Sequence, residues 1–265
     1  MSALDFAALL RAEKARSAVA APAPAPAPEP KQQQSRPPPD AATAALDPSK
    51  RRPPLQTLPG APPTIAYAAD WISEAEEAAI VAAAKRGDDW VTVRGRRLRR
   101  LGGPAGEAGF APEPLPRWAR DACCAAAASD RSSSRLVPNH VLVNSYDFSK
   151  ESYVLPHTDG PAYDDRTFTL SCGADAVVVF KERLKTSDIG VRPAATRCEV
   201  LLRRRSLLAF SREAYTECTH EIGAAPDTIG LCCVNLDAAD ARVGDVVGRA
   251  GERVSFTLRC ARGAE

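Results

Sequence analysis

His157, Asp159 and His220 are the residues whose types and spacing could do chemistry. The chain has only three histidines. In an extended segment residues i and i+2 point to the same side. The run Pro156-His157-Thr158-Asp159-Gly160 would then present an imidazole and a carboxylate together. Two imidazoles and one carboxylate on one face can hold Fe(II) and leave its other coordination positions open. Alone, His-x-Asp is equally a turn, since Gly160-Pro161 follows. His220, between Thr219 and Glu221, is equally a surface residue of a strand.

The segment Arg253-Val254-Ser255-Phe256-Thr257-Leu258-Arg259 adds a second pattern. Arg253, Ser255, Thr257 and Arg259 fall on one face of a strand, and Val254, Phe256 and Leu258 on the other. Such a polar face is either a solvent-facing edge or the inner wall of a barrel that binds an anion. A guanidinium matches a carboxylate with two parallel hydrogen bonds. Upstream, Asn144 and Tyr146 share a strand face with His140 and Leu142, so their polar tips could reach the same carboxylate.

The elements that must position these residues follow from local signals. Thr64-Ile65-Ala66-Tyr67 reads as a strand. Ser73 with Glu76 three residues on is a capping box and predicts a helix over 74–86. Pro116 predicts the start of a second helix over 117–129. After residue 135 the pattern changes to short strands: His140–Tyr146, Tyr153–His157, Thr167–Ser171, Ala176–Lys181, Cys198–Leu202, Ser206–Ser211, Cys218–Ile222 and Val254–Cys260. Eight short strands with turns between them predict a mainly β fold with flanking helices, a jelly roll or double-stranded β-helix. Two connections, 183–197 and 223–250, are long for a compact domain, which marks them as functional or mobile.

Composition bounds the rest. Residues 1–62 are dominated by Ala, Pro and Gln beyond residue 17, including an Ala-Pro alternation over 20–30, and are expected to be disordered. A short helix over 3–15, carrying Phe6, Leu9 and Leu10, is a candidate protein-binding element. Residues 63–265 form one expected domain. The net charge of +2 names no partner. No run reaches the length of a membrane span. The eight cysteines include two vicinal pairs and no CxxC. With no secretory signal in the first residues, they predict a reducing cytoplasmic or nuclear setting.

Several segments together resemble the AlkB family of Fe(II)/2-oxoglutarate dioxygenases, and within it the subfamily of the sixth AlkB homologue. They are Asn139-His140-Val141-Leu142-Val143-Asn144-Ser145-Tyr146, Pro156 to Pro161 with Tyr163, and the alternating arginine strand. Trp90 through Gly103, Leu115-Pro116-Arg117-Trp118, Ser206-Leu207-Leu208 and Ala214-Tyr215-Thr216 also resemble that subfamily. The similarity covers about residues 62 to 262. It implies Fe(II) ligation by His157, Asp159 and His220. It also implies 2-oxoglutarate binding by Asn144, Tyr146, Arg253 and Arg259, with Ser255 and Thr257 lining the same strand. Ser255 stands where the family usually has Asn. The implied reaction consumes 2-oxoglutarate and O2 and releases succinate and CO2.

The resemblance places a substrate lid around residues 90–103, where Arg94, Arg96, Arg97, Arg99 and Arg100 follow Trp90. Arginines neutralise phosphates and aromatic rings stack on bases. Trp90, Arg94, Arg96 and Arg97 are therefore the candidate substrate residues. A methylated base in single-stranded or base-flipped nucleic acid is the expected substrate. A protein side-chain demethylase or hydroxylase with the same cofactors, and a non-catalytic binding module, are the alternatives.

Overall fold

The computed structural model describes residues 45–106, 109–130, 136–149, 152–224, 227–248 and 251–262. Helix α1, Glu74–Lys85, begins where the capping box placed it. The Ser73 side chain accepts from the Glu76 backbone N–H, and the Glu76 carboxylate accepts from the Ser73 N–H at 2.8 Å. Glu74, Glu76 and Glu77 add negative charge to the first turn, against the positive end of the helix dipole. Helix α2, Arg117–Ser129, starts directly after Pro116.

The strands in chain order are β1 (Gln56–Thr57), β2 (Ile65–Ala68), β3 (Val91–Val93), β4 (Arg96–Leu101), β5 (Ala105–Gly106), β6 (Gly109–Phe110) and β7 (His140–Asp147). They continue with β8 (Val154–His157), β9 (Tyr163–Gly173), β10 (Ala176–Glu182), β11 (Thr196–Leu202), β12 (Leu207–Ser211), β13 (Cys218–Ile222) and β14 (Glu252–Ala261). A short helix α3, Arg212–Thr216, joins β12 to β13. Eight strands pair in the order β1-β2-β12-β9-β14-β7-β4-β3, and four in the order β11-β10-β13-β8.

Side-chain alternation sorts the large sheet into two faces. On β14, Val254, Phe256 and Leu258 join a core with Trp71 and Ile80 of the α1 region and with Trp118 and Cys123 of α2. Trp118 meets Phe256 edge-on, with ring centroids 5.9 Å apart. The opposite face turns Tyr146, Leu208 and Phe210 toward Val178, Phe180, Val200 and Ile222 of the four-stranded sheet. The predicted jelly roll is the observed architecture: two antiparallel sheets face one another, and the helices cover the back of the larger one. The functional face of β14 is the inner face.

Several boundaries differ from expectation. The disordered segment predicted over 1–62 ends earlier, because residues 45–62 belong to the fold. Leu46 is buried against the helical core, and β1 pairs with β2. The helix expected over 3–15 lies outside the described residues. The segment expected as a lid, 90–103, contains a hairpin of β3 and β4, and β4 pairs along its length with β7, as Arg96↔Tyr146 through Leu101↔Val141. Arg94 and Gly95, both at positive φ, form its two-residue turn. The long connection 223–250 packs Ile229, Cys233, Ala239 and Val247 onto Val177 and Leu201, covering the outer face of the small sheet.

Candidate metal centre and cosubstrate wall

The two sheets bring the three expected metal ligands together. His220 on β13 is the cross-strand partner of His157 on β8, and their ring centroids lie 4.3 Å apart. Strand β8 ends at His157, so Asp159 reaches the pair from the following coil rather than from strand alternation. One ligand atom from each of His157, Asp159 and His220 lies within 4.8 Å of the others. Among the described residues this is the one such grouping of His, Cys, Asp and Glu.

Their electrostatics suit a divalent metal. Burial, followed by the neighbouring His157, holds the His220 pKa down to about 3. Burial also lowers that of His157. Both imidazoles are therefore neutral at pH 7 and keep a lone pair. The His157 Nδ1–H donates to the Leu155 carbonyl at 2.9 Å, which leaves Nε2 as the lone-pair nitrogen. Burial alone would raise the Asp159 pKa. Arg259 foremost, then His220, His157 and a bond from Thr167, bring it down to about 2. Its two oxygens accept from Arg259 Nη1 at 2.8 Å and from Thr167 Oγ1 at 2.7 Å. The set is two neutral imidazoles and one ionised carboxylate, which fits Fe(II).

A polar wall stands on the adjoining strands. Register places Arg253 beside Tyr146, Ser255 beside Asn144 and Thr257 beside Leu142. Arg253 is wholly buried, donates to Ser171 Oγ at 3.0 Å and lies 5.1 Å from the Tyr146 ring centroid. Asn144 and Ser255 are also buried, and Asn144 Oδ1 has no hydrogen-bond partner among the described residues. A buried amide oxygen without a partner is costly in a closed protein, so a polar ligand is the natural complement of this wall. Arg259 stands apart from it, because its side chain is engaged by Asp159.

The arginine cluster divides. Arg96 is buried beside Tyr146, close enough for its charge to depress the His157 pKa. Arg99 is tied to Asp89 at 2.6 Å and to the Ala84 carbonyl at 3.0 Å. Arg97 is exposed, and its guanidinium lies 4.9 Å from the Trp90 ring centroid. Arg94 stays at the hairpin turn. Of the candidate substrate residues, strand alternation sends Arg96 inward and Arg97 outward. Sequence reasoning missed Thr167 and Ser171, which touch Asp159 and Arg253. Both lie on β9 opposite β14, and that register is visible only in the folded sheet.

No family model matches the chain. It is 32% identical over 209 residues to the zebrafish (Danio rerio) protein described as "Probable RNA/DNA demethylase ALKBH6". That match covers 75% of this chain and 86% of the relative. Among solved structures, OsALKBH1 is 18% identical with a TM-score of 0.48, covering 78% of this chain and all of that one. An oxidoreductase of the 2OG-Fe(II) oxygenase family from Burkholderia pseudomallei is 17% identical with a TM-score of 0.44, covering 76% of this chain and 86% of that one. On that identity and coverage to the zebrafish relative, the chain belongs to the AlkB family of Fe(II)- and 2-oxoglutarate-dependent dioxygenases, near ALKBH6.

Proposed function

We propose that this protein removes methyl groups from nucleic acid by oxidation, using Fe(II) held by His157, Asp159 and His220. The convergence of those three ligands inside the double sheet carries the proposal. With 2-oxoglutarate and O2, the iron would supply hydroxylation of an N-methyl carbon, giving succinate, CO2 and an adduct that releases formaldehyde. The protein's part is geometry and charge. His157 and His220 present neutral lone pairs from facing strands, and Arg259 and Thr167 fix the Asp159 carboxylate. Arg253, Tyr146 and Asn144, with Ser255 and Thr257 on the same strand, offer the distal carboxylate of 2-oxoglutarate a buried cationic and polar seat. The inner face excludes water with Phe180, Phe210 and Ile222.

Two observations support nucleic acid as the substrate. The zebrafish relative is named as a probable RNA/DNA demethylase. The exposed Arg97, its guanidinium against the half-buried Trp90 ring, offers a cation for phosphate on the outer side of the sheet that carries the site. The test is succinate formation by purified protein with Fe(II), 2-oxoglutarate and methylated oligonucleotides or methylated peptides. Turnover that survives in the His157→Ala/Asp159→Ala double variant refutes the metal centre. Demethylation of peptides but not of oligonucleotides refutes the substrate.

A further inference from the structure

The coil that carries Asp159 is held at more points than a metal ligand needs for its own bonds. Arg259 bonds Asp159, and its guanidinium carbon also lies 4.0 Å from the centroid of the Tyr163 ring. Tyr163 is buried, and its ring also meets that of His140, with centroids 5.1 Å apart and the planes tilted by 57°. His140 is wholly buried, and neither of its ring nitrogens has a hydrogen-bond partner among the described residues. It therefore serves here as a packing surface beneath the tyrosine. A bulge in the β14–β9 pairing falls between Arg259 and Ala261, and Ala261 is the residue opposite Tyr163. Bulges re-aim side chains, and this one sits where Arg259 leaves the row of β14 side chains for Asp159.

We propose that Tyr163 is a positioning residue of the metal centre: its ring face holds the Arg259 guanidinium flat beneath Asp159, and through it fixes the carboxylate that binds the metal. The contacts His140–Tyr163–Arg259–Asp159 run from the inner wall of the large sheet to the metal site. Arginine suits this position because it is planar and can stack while donating in its plane. The contact that Tyr163 makes with Arg259 is through its ring, so the ring is the functional group.

This inference rests on the metal centre proposed above. The test is calorimetric titration of the metal-free full-length protein with Mn(II), without cosubstrate, on wild type and on Asp159→Ala, Tyr163→Phe, Tyr163→Leu and Arg259→Lys. Loss of an outer partner of a metal ligand typically costs about 10–100-fold in affinity. Tyr163→Leu is expected to weaken Mn(II) binding by that factor, while Tyr163→Phe keeps the ring and binds within about 3-fold of wild type. Arg259→Lys keeps the charge but loses the planar stack, so it should weaken binding even if Tyr163→Leu proves too unstable to titrate. Circular dichroism of the metal-free variants separates loss of fold from loss of positioning. Unchanged affinity in folded Tyr163→Leu, or equal weakening in Tyr163→Phe, overturns the role of the ring. Wild-type protein that binds no Mn(II), or Asp159→Ala that binds it as well as wild type, instead defeats the metal centre itself.

Discussion

The two arginines of β14 have different work, and exchanging each for methionine should separate it. Arg253 sits wholly buried against Tyr146 and Ser171, away from the metal ligands, whereas Arg259 holds Asp159 at 2.8 Å. Methionine keeps much of the volume and removes the charge. A hydrogen bond to a charged group contributes about 1.5–3 kcal/mol. Losing a two-pronged contact to a carboxylate in a closed site should cost about 3 kcal/mol, or roughly 100-fold at 1.4 kcal/mol per factor of ten. Arg253→Met should therefore raise the dissociation constant for 2-oxoglutarate roughly 100-fold while leaving Mn(II) affinity within about 3-fold. Arg259→Met should do the reverse in order, weakening metal first and 2-oxoglutarate only through it. The assay is calorimetry in two stages, Mn(II) into metal-free protein and then 2-oxoglutarate into the loaded protein. A 2-oxoglutarate affinity unchanged in Arg253→Met would refute the assignment of the buried wall to the distal carboxylate.

Other perturbations should show equally specific results. Burial, with help from Arg259 and Arg100, lowers the His140 pKa to about 3, against about 6.5 for histidine in an unfolded chain. Between those values the unfolded state binds a proton that the folded state does not. Stability should thus fall as pH drops below about 6.5, by about 1.4 kcal/mol per pH unit for this one group. Urea titrations of metal-free wild type and His140→Leu from pH 7 to pH 5 should differ by that slope, and parallel curves would contradict it. A Cβ on Gly173, where φ is +75°, would meet the Glu252 carbonyl oxygen at 2.2 Å, beside Arg253. Gly173→Ala should cost upward of about 1–2 kcal/mol from the left-handed backbone alone, and a thermal midpoint equal to wild type would refute this. For Arg97→Gln, the slope of log binding constant against log salt on a single-stranded oligonucleotide should shrink by about 0.7. An unchanged slope would remove Arg97 from the phosphate contacts.

Much of this arrangement was legible because it depends on local rules. The Ser73–Glu76 box, Pro116 and the two-residue alternation of Arg253 to Arg259 each act within a few residues, and each stands where the sequence put it. His157 and His220 were separable from surface residues only in combination, since neither sequence context is distinctive. What escaped was set by long-range pairing. The row Arg96 to Leu101 reads as charge, and nothing local in it marks a paired strand. Its pairing with β7 turns Arg96 inward, and the end of α1 with Asp89 covers Arg99. The connection 223–250 has no apolar period of two or of 3.6. Ile229, Cys233, Ala239 and Val247 find their cover through turns instead. The role of Thr167 depends on lying across from Arg259, more than ninety positions away in the chain.

The place of β14 in the large sheet has a kinetic consequence. It is the last described strand in the chain, yet it lies between β9 and β7, near the middle of the sheet. Until it is inserted, β12-β9 and β7-β4 are separate half-sheets with an open seam. The carboxylate of Asp159 then lacks the guanidinium that orients it. His157, Asp159 and His220 all precede β14 in the chain, so they are synthesised before that seam can close and until then are loose donors. Tight metal loading would therefore act as a signal of completed folding, and a chain stopped short of residue 252 would lack both the seam and the cosubstrate wall.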